Sequence, residues 1–169
     1  MKKKFFLLFI FFTFIGFVFG CCSSALAKEA FTAEVTKIID GDSLIARAGR
    51  KKYEIRLYGI DAPEYDQPYS DKAKKLVKNT ILGRQVQVVP VEWDRYHRLV
   101  AIVYYDGESI NQRLISSGLA WYYPKYCKID ICKTWKRSGK KAKNLRKNLW
   151  SDSSPMAPWK WKQNKYKRK

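Results

Sequence analysis

The chain predicts an α+β fold built on a closed Greek-key barrel of five short strands, and three observations carry that expectation. Segments of period-two alternation recur at short spacing, a helical pattern separates the third strand from the fourth, and two further helical patterns follow the fifth. With 169 residues the chain is long enough for one domain with a proper core and too short for two comfortable ones.

Residues 1–27 carry the three parts of an export signal: Lys2-Lys3-Lys4, an apolar stretch from Phe5 to Phe19, and Ala25-Leu26-Ala27 as a small-x-small cleavage site. The apolar stretch is shorter than the roughly 20 residues of a membrane-spanning helix. Val18-Phe19-Gly20-Cys21 is similar to a lipoprotein processing site, so a membrane tether through Cys21 is the alternative to release after Ala27. Release, and thus a secreted or periplasmic protein, is the favoured expectation.

Phe31, Ala33 and Val35 alternate with polar residues as a half-buried first strand, and Asp40-Gly41 makes a turn. A second strand over about 43–47 turns at Ala48-Gly49-Arg50 into a third, in which Tyr53, Ile55 and Leu57 alternate with Glu54, Arg56 and Tyr58. Gly59 and Pro63 end it. Ser70 is the expected cap of a helix that sets Ala73, Leu76, Val77 and Ile81 on one face and stops at Gly83. Strands follow at about 85–91 and 99–104, then a turn at Asp106-Gly107 and a short helix capped by Ser109 and stopped by Gly118. A last helix is expected from Lys136 to Asn148, packing Ala142, Leu145 and Leu149 inward. The division expected is a signal at 1–27, a folded domain at 28–152 and a tail at 153–169. From Trp159 onward the tail has six basic residues and no acidic one, and is expected to stay disordered until it meets a polyanion.

Charge narrows the partners. Thirty-four Lys and Arg against 15 Asp and Glu give a formal +19, and aromatics make up 15% of the chain. That balance points to a polyanion, with nucleic acid ahead of an anionic membrane or cell-wall polymer.

Arg56-Leu57-Tyr58-Gly59-Ile60-Asp61-Ala62-Pro63-Glu64 places a cation and two carboxylates at the end of the third strand. If Ile55 and Leu57 face the core, Arg56 projects from the other face. Asp42 and Asp61 are the candidate ligands of one hard cation such as Ca²⁺, with the Ala62 carbonyl as a third oxygen. Asp40 is expected to be a turn residue, and its spacing to Asp42 makes no EF-hand. Glu64 is the candidate general base, or else a cap of the following loop. Arg56 and Arg98 suit a phosphodiester, because a guanidinium donates in a planar fork to two phosphate oxygens and stays charged. His97, the lone histidine, is expected at the surface.

These segments occur in a fixed order. Ile39-Asp40-Gly41-Asp42-Ser43 precedes the Arg56 to Glu64 stretch, and Asp94-Arg95-Tyr96-His97-Arg98-Leu99 follows it. From about Val35 to Ser151 the ordered set resembles the staphylococcal nuclease (thermonuclease) family. That resemblance implies an OB-type Greek-key barrel with three α-helices. It also implies a Ca²⁺-dependent endonuclease that cleaves DNA and RNA with little sequence preference, leaving 3′-phosphate and 5′-hydroxyl ends; a monomer is expected, and no protein partner is implied. It places Tyr96 in the nucleotide pocket and Ala62 where the best-known member has Thr. Of Tyr122, Tyr123 and Tyr126, Tyr123 is the candidate on the far side, although the register there is open because the Cys127 to Cys132 loop departs from the family pattern. In an exported chain those two cysteines are expected to pair, and two Cys with one His fall short of the roughly four ligands of a zinc site. The rival readings are a non-catalytic nucleic-acid-binding barrel and a cationic surface protein. Retention of Arg56, Asp42, Asp61, Glu64 and Arg98 argues against the first, and the ordered acids are unnecessary for the second.

Overall fold

In the computed structural model, residues 29–167 are described, so the export segment, Cys21 and the last two residues lie outside the described part. Alternating burial builds the barrel. Strand β1 (Phe31–Ile38) turns Ala33 and Val35 inward; β2 (Ser43–Ala48) buries Leu44 and Ala46, and β3 (Lys51–Leu57) buries Ile55 and Leu57. A two-residue strand β4 (Ile60–Asp61) follows, then helix α1 (Ser70–Ile81), which applies Ala73, Val77 and Ile81 to the sheet. Strands β5 (Gln85–Trp93), β6 (Leu99–Tyr105) and the short β7 (Glu108–Ser109) lead into α2 (Ile110–Ser116). The chain closes with β8 (Trp121–Tyr122), α3 (Ile131–Asn144) and α4 (Pro158–Lys167).

The sheet runs β3-β2-β1-β5-β6-β7, and an additional parallel pairing of β3 with β6 closes the five long strands on themselves. In that seam Ile55 lies level with Leu99, Arg56 with Val100 and Leu57 with Ala101. Closure removes the sheet edge at the end of β3, so the strand that carries Arg56 is held on both sides. Asn111, with no exposed surface, braces the same seam: its Oδ1 accepts from the Val103 N–H, and its Nδ2 donates to the carbonyls of Tyr58 and Ala101. A buried amide satisfied in this way fixes the spacing between α2 and the barrel through three bonds to main-chain groups.

Gly41 and Gly59, near the acids, are required by close approach. A Cβ on Gly41 would lie 2.7 Å from the Ala62 Cβ and 2.8 Å from that of Ala73, so Gly41 lets the Asp40 to Asp42 turn press against the segment after β4. Gly59, at φ +68°, would meet the Cys127 Sγ at 2.5 Å. Cys127 and Cys132 are joined as a disulfide, and both are buried.

The α+β barrel is as expected, with a fourth helix added and three local expectations corrected. Tyr69, at φ 72°, occupies the cap position of α1 without a side-chain bond, while the Ser70 hydroxyl donates to the Tyr65 carbonyl instead. Helix α3 starts at Ile131 and ends at Asn144, because Arg146 and Asn148 adopt left-handed backbone conformations. Its anchor is the fully buried Trp135; Leu145, expected inside, is exposed, and Leu149 is buried from a 3₁₀ turn beside Ala142 and Trp150. The tail, expected to lack structure, forms α4 from residue 158 to 167. Aromatic contacts supply what its polar composition lacks: Trp159 stacks on Tyr123 at 4.5 Å and meets Trp121 edge-on. No helix among the described residues is long and apolar enough to cross a membrane.

Candidate active site

Strand pairing puts the first acid beside the first cation. Ser43 is the register partner of Arg56, and the Leu57 N–H donates to the Asp42 carbonyl at 2.8 Å. Asp40 serves as the expected turn residue: its Oδ1 accepts from the N–H groups of Asp42 (2.9 Å) and Ser43 (2.7 Å), which aims Asp42 inward. Asp61 arrives from β4, whose pairing with β8 sets it opposite Trp121. Between the two acids sits Arg56, with Nη1 against the Asp42 Oδ1 and Nη2 2.6 Å from the Asp61 Oδ1 and 3.3 Å from the Ile60 carbonyl. The Ala62 N–H donates to the Asp42 Oδ2 at 2.6 Å, so the observed link from Ala62 to this cluster is its amide.

Burial raises Asp42, to about 7, against the pull of the Arg56 guanidinium; the charges of Asp40 and Asp61 add to the rise, and the Ala62 N–H lowers it. Burial also raises Asp61 above the ordinary carboxylate value, opposed by Arg56 and Lys162. The same burial works against the charge on Arg56, but Asp42 and Asp61 outweigh it and hold the guanidinium above its usual value. One arginine therefore leaves the cluster short of positive charge. Its donors are hard oxygens, which suits a cation of the Ca²⁺ kind. Among the described residues no group of three or more His, Cys, Asp and Glu side chains converges for a metal, so Asp42 and Asp61 would leave the remaining positions to main chain and water.

The other candidates fall into two groups. Arg98 stands just before β6, where its Nε and Nη2 each lie 2.8 Å from the Asp94 Oδ2; its ion pair is with Asp94 and not with the Asp42–Asp61 pair. Burial opposes the charge on Asp94, but the Arg98 N–H and guanidinium and the Tyr96 N–H outweigh it and lower its pKa. Tyr96 is exposed, its ring 5.6 Å from the Arg98 guanidinium and 4.8 Å from that of Arg95. His97, at φ 60°, is an exposed turn residue between them. Tyr123 belongs with the acids: its N–H donates to the Gly59 carbonyl at 2.9 Å, and burial together with the Asp61 charge raises its phenol. Tyr122 pairs with Ile60 across the short sheet, and Tyr126 lies edge-on to Tyr123.

Glu64 carries the feature that the sequence did not disclose, since its Oε1 lies 2.7 Å from the Lys162 Nζ on α4. No local spacing announces a pair so distant in the chain. The only hint was the interleaving of Trp and Lys from position 159 onward.

Residues 54–152 match the family described as "Staphylococcal nuclease homologue". The chain belongs to this family. As a staphylococcal nuclease homologue it has relatives in plants and bacteria. It is 38% identical over 115 residues to a probable staphylococcal-like nuclease of Oryza sativa subsp. japonica, covering 68% of this chain and 34% of that protein. A protein of Haemophilus influenzae named as an uncharacterized endonuclease is 34% identical over 140 residues, covering 82% of this chain and 77% of its own length. A micrococcal nuclease of Shigella flexneri is 34% identical over 148 residues, covering 82% and 84%. The chain thus spans about a third of the rice relative and most of the bacterial ones. Arg56, Asp61, Glu64 and Arg98 fall inside the family match, while Asp42 precedes it and α4 follows it.

Proposed function

We propose that this staphylococcal nuclease homologue is an exported, Ca²⁺-dependent endonuclease that hydrolyses DNA and RNA with little sequence preference. The observation that carries this reading is the Arg56 guanidinium held between the buried carboxylates of Asp42 and Asp61, with Glu64 three residues further on. A phosphodiester needs a preorganised cationic fork, an acid-lined place for a hard cation and a base for water. In this proposal Arg56, the Asp42–Asp61 pair and Glu64 supply them in turn.

Arg56 has five N–H donors, and the observed contacts engage only its two terminal nitrogens. The remainder can bind a phosphate oxygen, while the two acids fix the plane of the fork. Arg98, whose plane Asp94 fixes, supplies a second fork from the β6 side. Glu64 takes a proton from a water whose oxygen bonds to phosphorus; the bond from phosphorus to the 5′ oxygen breaks, and that oxygen takes up a proton from solvent water, while Glu64 returns its own to solvent. The ends left are a 3′-phosphate and a 5′-hydroxyl. Bound Ca²⁺, held by Asp42 and Asp61 with the Ala62 carbonyl, would supply positive charge to the phosphate oxygens. Tyr123 and Tyr96 would line the nucleotide on its two sides.

Residues 1–27 as a signal and 28–152 as the nuclease domain complete the proposal, with a membrane tether through Cys21 as the alternative to release. The Cys127–Cys132 disulfide supports an oxidising compartment. Purified residues 28–169 should nick and degrade plasmid DNA with Ca²⁺, and lose that activity in EDTA. Cleavage undiminished by chelator would remove the metal. Binding without cleavage under every condition would leave a non-catalytic barrel.

A further inference from the structure

The contacts of helix α4 converge on the loop that carries Glu64. Lys162 Nζ lies 2.7 Å from the Glu64 Oε1. Two residues on, Asp66 receives a pair of bonds from the same helix: Trp161 Nε1 donates to its Oδ1 at 2.9 Å and Lys165 Nζ to its Oδ2 at 2.8 Å. Gln67 Nε2 donates to the Met156 carbonyl at 2.6 Å, which fixes the approach to α4. Within the loop there are only a few further bonds, among them the Gln67 N–H to the Glu64 carbonyl and the Glu64 N–H to the Gln67 Oε1. The barrel itself supplies no regular strand or helix between Asp61 and Ser70. The loop's position is therefore set largely by the C-terminal helix.

The other end of α4 engages the second candidate substrate residue. Trp159 lies parallel to Tyr123, with 7° between the ring planes and 4.5 Å between centroids. Trp121 closes the stack edge-on at 5.6 Å. Tyr123 thus lies between the stacked Trp159 ring and the edge-on Tyr126 ring, which restricts its χ angles, and the Asp61 charge acts on its phenol.

We propose that α4 is a brace for the active site, in which Lys162 positions Glu64, Trp161 and Lys165 hold the loop through Asp66, and Trp159 positions Tyr123. This rests on the reading of Glu64 as the base. A plug would lie on Arg56 and the acids at its centre, whereas the hydrogen bonds and ion pairs of α4 go to Glu64 and Asp66. Glu64 keeps part of its surface open, with its side chain 28% exposed beside Lys162. A base held on one oxygen by an ammonium retains the other oxygen for water, and its rotamer freedom is removed beforehand.

The test uses residues 28–169 as parent, Lys162→Met, Lys162→Arg and Asp66→Ala, with steady-state kinetics on a short oligonucleotide and amide hydrogen exchange of residues 64–69. Lys162→Met should lower kcat about 10- to 100-fold with KM moving less than about threefold, because a misplaced base costs rate and not binding. Lys162→Arg, which preserves the ion pair, should recover most of the loss. Asp66→Ala leaves the Glu64–Lys162 pair in place; it should lower kcat by a smaller factor and speed exchange over 64–69. A rise in kcat on Lys162→Met would make α4 a plug, and a rise in KM alone would make it a substrate-binding element; either overturns the brace. So would unchanged exchange in Asp66→Ala together with unchanged kcat in Lys162→Met. If the parent itself cleaves nothing, the nuclease reading fails, and the exchange of 64–69 alone decides whether α4 holds the loop.

Discussion

Arg56 Nη2 lies 2.6 Å from the Asp61 Oδ1, a bond that joins the end of β3 to β4 across the turn at Gly59. Arg56 is thus both a candidate phosphate ligand and the tie that orders the two acids. Lysine carries the charge but cannot reach both carboxylates with a planar fork. Arg56→Lys should lower kcat by about 10² or more, the cost of losing one preorganised donor. It should also lower the melting temperature of the metal-free protein. A rate near that of the parent in single-turnover assays would demote Arg56 to a structural tie.

Asp42 links charge to stability. Its carboxyl is raised in the fold from 3.8 to about 7, so between those values the folded protein binds more protons than the unfolded chain. Stability of the metal-free protein therefore falls as pH rises through that window. Asp42→Asn removes the burden: in chelator its melting temperature should gain on the parent from pH 4 to 7 and hold the gain above. The same variant should bind Ca²⁺ more weakly by calorimetry, since a site with two carboxylates depends on both charges. Parallel melting curves across the pH range would show that the burial cost is absent.

Asp94 has the opposite sign. Its lowered carboxyl contributes stability at pH values above 3.8, and that stability is lost as pH falls through the folded value. Asp94→Asn should thus be destabilised at neutral pH, with the gap to the parent closing in acid. It should also reduce kcat, because Arg98 loses the carboxylate that fixes its plane. A gap independent of pH would assign the effect to the turn backbone and not to the charge.

Gly59 lets the turn between β3 and β4 pack against the disulfide. Gly59→Ala would place a methyl group 2.5 Å from the Cys127 Sγ at a backbone φ of +68°, which combines overpacking with left-handed strain. A loss of about 2 kcal/mol or more is expected in urea unfolding. Reducing the disulfide in this variant should return part of the loss, since a freed thiol can move aside. No change in midpoint would mean that the Cys127 loop yields freely.

The barrel was legible in the sequence because it is made by local alternation: Ala33 and Val35, Ile55 and Leu57 face inward wherever the strand period sets them. The acids and Arg56 were legible for a related reason, being fixed within a few residues of strand ends and turns. The cap of α1 and the end of α3 were misplaced because left-handed residues at Tyr69, Arg146 and Asn148 overrode the propensities. Asn111 gave no signal, since a buried amide looks like a surface one until the carbonyls of Tyr58 and Ala101 surround it. Helix α4 lay furthest from reach. Its polar composition predicts disorder, and only the tertiary structure supplies the Tyr123 ring, the Glu64 and Asp66 carboxylates and the Met156 carbonyl approach that order it. Local pattern determined the strands and the acid-flanked arginine; the placement of Lys162 on Glu64 was decided by contacts between segments far apart in the chain, which no period in the sequence encodes.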